Sequence, residues 1–213
     1  MPKLRLWITM SLDGFVAGPN QSASDPLGVG GMRLHEWAFA LAQWREAHGM
    51  SGGATNESSR VVEEATAGVG ATIMGRNMFG GHPGAWSATD PWMGWWGEDP
   101  PYHHPVFVVT HHPRETLVLE GDNSFTFVTD GIESALEQAR RAAGEKDISL
   151  AGGASISQQY LAAGLVDQMD LNVAPILLGD GERLFDGVSD LHGLQLVRTI
   201  AMPNVTHYRF MRA

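Results

Sequence analysis

The chain has 213 residues and a mass of 23.0 kDa, with 43% hydrophobic and 18% charged residues. This is the composition of a globular protein with one full core, and it excludes disordered, collagen-like and low-complexity classes. The formal net charge is −10, and the 14 Lys and Arg residues are scattered along the chain, which argues against a nucleic-acid-binding surface.

The sequence contains no cysteine, which excludes disulfides, thiolate nucleophiles and cysteine-ligated metals. The first ten residues mix charged and apolar side chains too closely for a signal peptide. No apolar run approaches the roughly 20 residues of a membrane span. We therefore expect a cytoplasmic protein that binds neither membranes nor nucleic acid.

The amino-terminal third predicts two strands separated by helical segments. Leu4–Met10 alternates apolar and polar residues and predicts a strand. Apolar residues between positions 34 and 47 recur every three or four residues and predict a helix. Thr55 or Asn56 caps a second helix, and the apolar run Ala71–Met74 predicts a buried strand.

The rest of the chain alternates strands and helices. The predicted strands are Pro105–Thr110, Phe125–Val128, Asp147–Leu150 and Met169–Leu178, followed by an antiparallel pair at Leu194–Ile200 and Thr206–Met211. The predicted helices are Gly131–Ala143 and a segment from Ala154 to about Ala163. This alternation predicts an α/β fold with a mainly parallel sheet and an antiparallel tail. We expect a single domain over residues 1–213, with long insertions at about 18–55 and 80–104.

Three turns at the carboxyl ends of predicted strands have anion-binding features. Gly152–Ser155 joins a strand to a helix, where backbone N–H groups bind phosphate and glycines allow close approach. Gly75–Met78 presents a guanidinium at a second such turn, and Thr110–Arg114 is the third. Each turn alone is more often structural, but together they predict one extended dinucleotide site. The glycine spacing matches neither the Rossmann fingerprint nor the phosphate loop of nucleotide hydrolases.

The sequence offers weak support for two other chemistries. His103-His104 and His111-His112 are close in sequence, but adjacent strand residues point to opposite faces and no carboxylate has a zinc-type spacing. The nucleophile elbow of serine hydrolases does not occur. We expect neither a metal site nor a serine hydrolase.

Five motifs carry a resemblance to a known family and span nearly the whole chain. They are SLDGFVAG at 11–18, IMGRNMF at 73–79, VVTHHPR at 108–114, LAGGASISQQYL at 150–161 and PILLGDGERLF at 175–185. In these motifs the chain resembles the dihydrofolate-reductase-like family. More narrowly, it resembles the carboxyl-terminal reductase domain of the bacterial bifunctional riboflavin-biosynthesis deaminase-reductase and its stand-alone relatives.

The resemblance implies a three-layer α/β fold and an NADPH-dependent reductase that forms a homodimer. The central sheet would have about eight mostly parallel strands with an antiparallel carboxyl-terminal strand, and helices on both faces. By motif, the nicotinamide pocket would be lined by Thr9, Val16 and Ala17, and the phosphates on the adenosine side would be held by Gly75, Arg76, Asn77 and Met78. The adenosine ribose and its 2′-phosphate would lie near Thr110, His111 and Arg114. The pyrophosphate would lie on Gly152, Gly153, Ala154, Ser155 and Ile156, and the Gly-Gly bond is often cis in relatives.

One departure from the family concerns the substrate. In dihydrofolate reductases a helix presents a carboxylate that grips the pterin, and the equivalent position here is Ser59. This disfavours dihydrofolate as the substrate. Glu63, one helical turn further on, is the nearest replacement and a candidate substrate-binding residue.

Asp13 and two tryptophans are the other candidates for the substrate side. Asp13 either contacts an aminopyrimidine and relays a proton to it, or only forms an Asx-turn with Gly14. Trp37 and the tryptophan-rich loop around Trp86 either close over a flat aromatic ligand or pack between subunits.

These observations favour an NADPH-dependent reductase of a small heterocyclic or imine substrate. The specific reaction that we expect is the reduction of 5-amino-6-(5-phosphoribosylamino)uracil. The alternatives are an authentic dihydrofolate reductase and a nucleotide-binding protein that keeps the fold without turnover. Deamination is excluded because the chain has no zinc-deaminase motif.

Overall fold

The structure is a computed structural model that describes residues 2–81, 84–87, 89 and 92–213. Its strands are β1 (Leu4–Ser11), β2 (Phe15–Ala17), β3 (Val69–Gly75), β4 (Pro105–Val109), β5 (Leu117–Val118), β6 (Ser124–Val128), β7 (Asp147–Gly152), β8 (Gln168–Ala174), β9 (Glu182–Arg183), β10 (Leu194–Met202) and β11 (Val205–Arg212). Its helices are α1 (Glu36–Phe39), α2 (Ala42–Ala47), α3 (Glu57–Thr66), α4 (Arg76–Phe79), α5 (Ile132–Ala143) and α6 (Ala154–Ala162), with a short 3-10 helix at Gly31–His35. Residues 82, 83, 88, 90 and 91 of the predicted insertion at 80–104 lie outside the described residues.

Within the described part of the chain, nine strands form one sheet in the order β10-β11-β8-β1-β7-β3-β4-β6-β5. The six strands from β8 to β6 in this order are parallel to one another. The edge strands β10 and β5, and β11 next to β10, run antiparallel to their neighbours, and β2 pairs with β9 in a separate ribbon. The expected α/β fold, with its mostly parallel sheet and antiparallel tail, is confirmed.

One face of the sheet carries the main apolar core. Leu4, Leu6 and Ile8 of β1 point to this face together with Ile148 and Leu150 of β7. Because side chains alternate along a strand, every second residue reaches α5 and α6, which cover this face. This alternation is the pattern from which the strands were predicted.

The opposite face is covered in two separate places. At one side α3 lies over the sheet, and the Arg5 guanidinium of β1 donates to its last carbonyls, Glu64 O at 2.5 Å, Ala65 O at 3.2 Å and Ala67 O at 3.0 Å. A cation on the final carbonyls stabilises the end of a helix. At the other side, tryptophans 86, 92 and 96 pack on a second apolar cluster around Phe79. Between α3 and this tryptophan cluster, a strip of the same face of the sheet is left uncovered.

Two predicted elements differ from the structure. The predicted strand Met169–Leu178 ends at Ala174, because Pro175 has no N–H for the ladder and the chain turns away after it. The predicted helix between 34 and 47 is broken into α1 and α2 at Leu41, which is extended. The break occurs because Ala42 N–H donates to Ala54 O instead of to a helical carbonyl.

Candidate functional site

A cavity of about 1110 Å³ opens over the uncovered strip of the sheet and reaches the carboxyl ends of its central strands. Its floor is formed by side chains of β1, β3 and β7: Trp7, Thr9, Thr72, Ser149 and Ala151. Trp37 of α1 lies in one wall, and Trp95 and Trp96 lie in the wall on the side of the second apolar cluster. Cavities at the carboxyl ends of parallel strands are the usual ligand sites of open α/β sheets.

Most residues predicted for the cofactor line this one cavity. They are Thr9, Val16, Ala17, Gly75, Arg76, Asn77, Met78, Thr110, His111, Gly152, Gly153, Ala154, Ser155 and Ile156. The sheet order brings them together, since β7, β3 and β4 are neighbours and their carboxyl ends meet at one edge. Cofactor binding by these residues stays a prediction, but their proximity is a property of the fold.

The glycine turn after β7 presents bare backbone to the cavity. The Gly152–Gly153 bond is cis, as the resemblance implies, and Gly152 has a φ of +106°. A Cβ at Gly153 would have no atom within 4 Å, so a side chain there would point into open space. The first bond of α6 joins Ser157 N to Gly153 O at 3.2 Å, which leaves the N–H groups of the preceding turn available to an anion. This cradle fits the pyrophosphate of a dinucleotide.

Arg76 provides the positive charge at the same end of the cavity. Its guanidinium carbon lies 3.6 Å from the centroid of the Trp86 ring, and that of Arg114 lies 5.0 Å from the same ring. Burial, and secondarily the charge of Arg114, lowers the pKa of Arg76, while burial lowers that of Arg114. Because the charge of Arg114 disfavours that of Arg76, an anion bound beside the two guanidinium groups is favoured.

Trp86 and Arg114 do not line the cavity themselves. The Trp86 indole donates to His112 O at 2.8 Å, and Arg114 donates to Trp92 O at 2.6 Å. Trp86 therefore positions Arg76 by stacking and does not face the substrate side, where we had expected it. Arg114 holds the tryptophan-rich loop through this bond, and its contact with the 2′-phosphate stays a prediction.

Asp13 also lies outside the cavity lining. Its carboxylate accepts hydrogen bonds from Ser11 Oγ at 2.5 Å, Gly179 N at 2.7 Å and Leu178 N at 3.2 Å. Burial alone would raise its pKa, but these hydrogen bonds outweigh burial and lower the pKa to about 2. The N–H that would close an Asx-turn at Asp13 is that of Phe15, and it donates to Ser11 Oγ at 3.0 Å, so the predicted Asx-turn is absent. Asp13 is an ionised carboxylate that ties the first loop to the loop after β8.

Ser59 and Glu63 lie on α3 away from the cavity lining. Ser59 is buried, and its hydroxyl accepts from Asn56 N–H at 3.2 Å while Asn56 Oδ1 accepts from Ser58 N–H at 2.8 Å. This reciprocal pair is a capping box that starts α3. Glu63 is exposed to solvent. Neither side chain supplies the carboxylate that would grip a pterin.

Sequence reasoning missed two features of the cavity. Trp7 lies on the floor beside Thr9, two residues away on the same strand, and this spacing was a usable signal because such residues share a face. His104 also lines the cavity, and its Nε2 lies 2.7 Å from Thr72 Oγ1. Burial, then the charges of His103 and Lys146, lowers the pKa of His104. That contact joins residues 32 positions apart, so no sequence pattern could predict it.

The comparison with known families decides the assignment. A family model described as the RibD C-terminal domain matches residues 2–208. The chain belongs to the RibD C-terminal domain family. The predicted resemblance to reductase domains of riboflavin biosynthesis is thereby confirmed.

Three relatives show how this RibD C-terminal domain compares with other proteins. An uncharacterised Bacillus subtilis (strain 168) protein, YyaP, is 32% identical over 106 residues, which are 48% of this chain and 56% of that protein. A provisionally assigned riboflavin biosynthesis protein from Shewanella sp. PV-4 has a TM-score of 0.59 at 21% identity, with 99% of each chain covered. A Thermotoga maritima diaminohydroxyphosphoribosylaminopyrimidine deaminase/5-amino-6-(5-phosphoribosylamino)uracil reductase has a TM-score of 0.57 at 15% identity, covering all of this chain and 57% of that one. At these identities the solved structures show the fold.

The described residues of this family member include neither a membrane-spanning helix nor a metal-binding cluster. No helix there is long and apolar enough to cross a membrane. No group of three or more His, Asp or Glu side chains there could hold a metal ion.

Proposed function

We propose that this RibD C-terminal domain is an NADPH-dependent reductase of a small heterocyclic or imine substrate, of the type of 5-amino-6-(5-phosphoribosylamino)uracil reduction. The observation that carries the proposal is the single cavity that joins the bare Gly152–Gly153 backbone and Arg76 at one end to an aromatic floor and wall at the other. A dinucleotide and a flat substrate need such adjacent subsites.

The chain's residues fit the cofactor. Gly152, Gly153 and the start of α6 would hold the pyrophosphate, and Arg76 would bind a phosphate on the adenosine side. Thr9 and Val16, near the other end, would bound the nicotinamide. When bound, NADPH supplies a hydride to carbon, while a proton is delivered to the neighbouring nitrogen. The chain's contribution is to orient the two rings face to face and to exclude water from between them.

A second candidate function is nucleotide binding without turnover. It is favoured by Asp13, whose carboxylate is occupied by the backbone of residues 178 and 179 and therefore leaves the proposed proton relay without a donor at that position. NADPH absorbance in the presence of a panel of pyrimidines, pterins and quinones separates the two candidates. Oxidation supports the reductase, and tight binding without oxidation supports the second candidate.

The test of the cofactor assignment is a thermal-shift titration with NADPH, NADP+, NADH and FMN. A ligand that binds only the native state raises the melting temperature with the logarithm of its concentration. We expect a rise with NADPH and NADP+, a smaller one with NADH and none with FMN. The absence of a shift with every nucleotide would overturn the assignment.

We also propose that the protein is a cytoplasmic homodimer. The absence of cysteine suits a reducing compartment. Support for a dimer comes from the edge strand β10, where Leu196 and Val197 are 52% and 55% exposed. Exposed apolar side chains on a sheet edge are typical of a surface that another chain covers.

A further inference from the structure

The described residues that line the cavity include a single carboxylate, that of Glu182. Glu182 belongs to β9, where it pairs with Ala17 of β2. Ala17 is one of the residues predicted to bound the nicotinamide, so Glu182 lies at the end of the cavity that we propose for the reacting rings. Its carboxylate has no ion-pair partner among the described residues and is therefore available to a ligand.

The two side chains of β9 point to opposite sides. The Arg183 guanidinium lies over the Phe15 ring, 4.4 Å from its centroid, and donates to Asp13 O at 3.1 Å. Because neighbouring side chains alternate along a strand, Glu182 takes the side that faces the cavity. The cation next to Glu182 in the sequence is thus engaged elsewhere and does not neutralise it.

The backbone of β9 is braced against the first loop of the chain. Gly181 has a φ of +128°, and a Cβ there would lie 2.1 Å from Ala17 O, so the two segments are in close contact. Asp13 accepts from the N–H groups of residues 178 and 179, shortly before β9. The backbone of Glu182 is therefore fixed beside the cavity, and a ligand has to order only its side chain.

The cations of the cavity lie beside β3 and β4. Arg76 is the only Lys or Arg among the described lining residues, and it follows β3 directly. Four histidines lie just before or just after β4: His103, His104, His111 and His112. β3 and β4 are two and three strands away from β1, against which β2 packs, or about 10 and 14 Å at the usual strand spacing. This end of the cavity is the one that favours phosphates.

The fifth lining histidine, His35, lies nearer to Glu182 but supplies no cation there. It ends the 3-10 helix that begins at Gly31, and a Cβ at Gly31 would lie 4.0 Å from Ala17 Cα. Burial lowers the pKa of His35, so its ring is neutral at pH 7. The cavity is therefore electrically asymmetric, with its cations at the β3–β4 end and a carboxylate at the β2–β9 end.

We propose that Glu182 selects the substrate, by binding a planar ring through an amidine edge, which is an amino group beside a protonated ring nitrogen. The two carboxylate oxygens match the two parallel N–H donors of such an edge, and opposite charges strengthen both hydrogen bonds. The inference rests on the proposed function, because it names the substrate class of the same site. A carboxylate that grips a pterin would be on α3, whereas Glu182 makes its contact from β9.

The experiment is a calorimetric titration of the full chain with two probes near pH 7. 2,4-Diaminopyrimidine has the amidine edge and is readily protonated at a ring nitrogen. Uracil is uncharged and has carbonyl oxygens in place of both amino groups. We expect the diaminopyrimidine to bind at least ten-fold tighter than uracil.

Two variants test the assignment to Glu182. Glu182→Gln keeps the shape of the side chain and removes its charge, and Glu182→Lys reverses the charge. The first should weaken diaminopyrimidine binding about ten-fold, which corresponds to a lost charged hydrogen bond, and the second should abolish it. Neither should weaken uracil binding. Glu182 is exposed, so both variants should fold, and circular dichroism checks this.

The matched control is Glu145→Gln. Glu145 is exposed in the turn between α5 and β7 and does not line the cavity, so its replacement should leave the affinity for both probes unchanged. Three results would overturn the proposal: no measurable binding of the diaminopyrimidine, equal affinity of the wild type for the two probes, or diaminopyrimidine affinity unchanged in both Glu182 variants.

All titrations are made without and with NADP+. If no nucleotide binds but the probes and variants show the expected order, the proposed function fails and recognition by Glu182 stands. If the nucleotides bind and the Glu182 variants bind the diaminopyrimidine as the wild type does, the substrate inference fails and the reductase proposal stands.

Discussion

At the scale of single residues, Arg76 is the side chain on which the cofactor proposal depends most. Stacking on Trp86 fixes the direction of its guanidinium, and the nearby charge of Arg114 makes an added anion favourable. Arg76→Ala should therefore weaken NADPH binding by about 10- to 100-fold, which is the usual range for a lost charged hydrogen bond. The measurement is a fluorescence titration of NADPH against wild type and variant.

Arg141→Ala is the control for this prediction. Arg141 is exposed on α5, pairs with Glu137 and does not line the cavity, so its loss should leave NADPH affinity unchanged. If Arg76→Ala bound NADPH as wild type does, the phosphate contact would have to be assigned to another residue.

At the scale of secondary-structure elements, α3 is joined to the sheet by a buried histidine. His207 of β11 donates from Nδ1 to Asn172 Oδ1, and in the neutral ring its Nε2 accepts from the Ser58 hydroxyl of α3. Burial, then the charge of Arg198, lowers the pKa of His207 to about 4, while Asp170 acts in the opposite direction. The helix and the sheet therefore stay joined in this way only while His207 is unprotonated.

The pH dependence of stability follows from this pKa. The unfolded chain binds a proton at His207 below its ordinary pKa of 6.5, and the folded chain does so only below about 4. The contribution of His207 is therefore fully present above pH 6.5 and is lost as the pH falls toward 4, by about 2–3 kcal/mol. His207→Gln should reduce the loss of the free energy of unfolding between pH 7 and pH 4, as measured by urea unfolding. The control is His48→Gln, at an exposed position, which should leave this pH dependence unchanged. If His207→Gln also left it unchanged, the pH dependence could not be assigned to His207.

The elements that could be predicted from the sequence are those whose pattern is local. β1 follows from its alternation and α3 from the cap at Asn56, because both signals lie within a few residues. The break at Leu41 could not be predicted, since it depends on a hydrogen bond from Ala42 to Ala54 across a loop. The Trp7 indole N–H has no hydrogen-bond partner among the described residues. This could not be predicted either, because it depends on where the fold positions the surrounding acceptor atoms.

At the scale of the whole molecule, the two edges of the sheet differ in what they expose. The β10 edge presents two adjacent apolar side chains, Leu196 and Val197, where the ladder with β11 is irregular between Leu196 and Arg198. The other edge ends in the two-residue strand β5, where Val118 alone is 74% exposed. A short edge with one apolar side chain offers little area to a partner, whereas the nine-residue β10 offers a continuous strand.

This difference predicts which edge forms the proposed dimer. Light scattering after gel filtration should give twice the chain mass of 23.0 kDa for the wild type. Leu196→Lys should shift the mass to that of one chain, because a buried unpaired ammonium at an interface is strongly unfavourable. Val118→Lys, on the opposite edge, should leave the dimer intact.

A monomeric wild type would contradict the dimer proposal, and a dimer that survived Leu196→Lys would show that the interface does not include β10. In both cases the cavity would be unaffected, because its lining residues lie outside both β5 and β10.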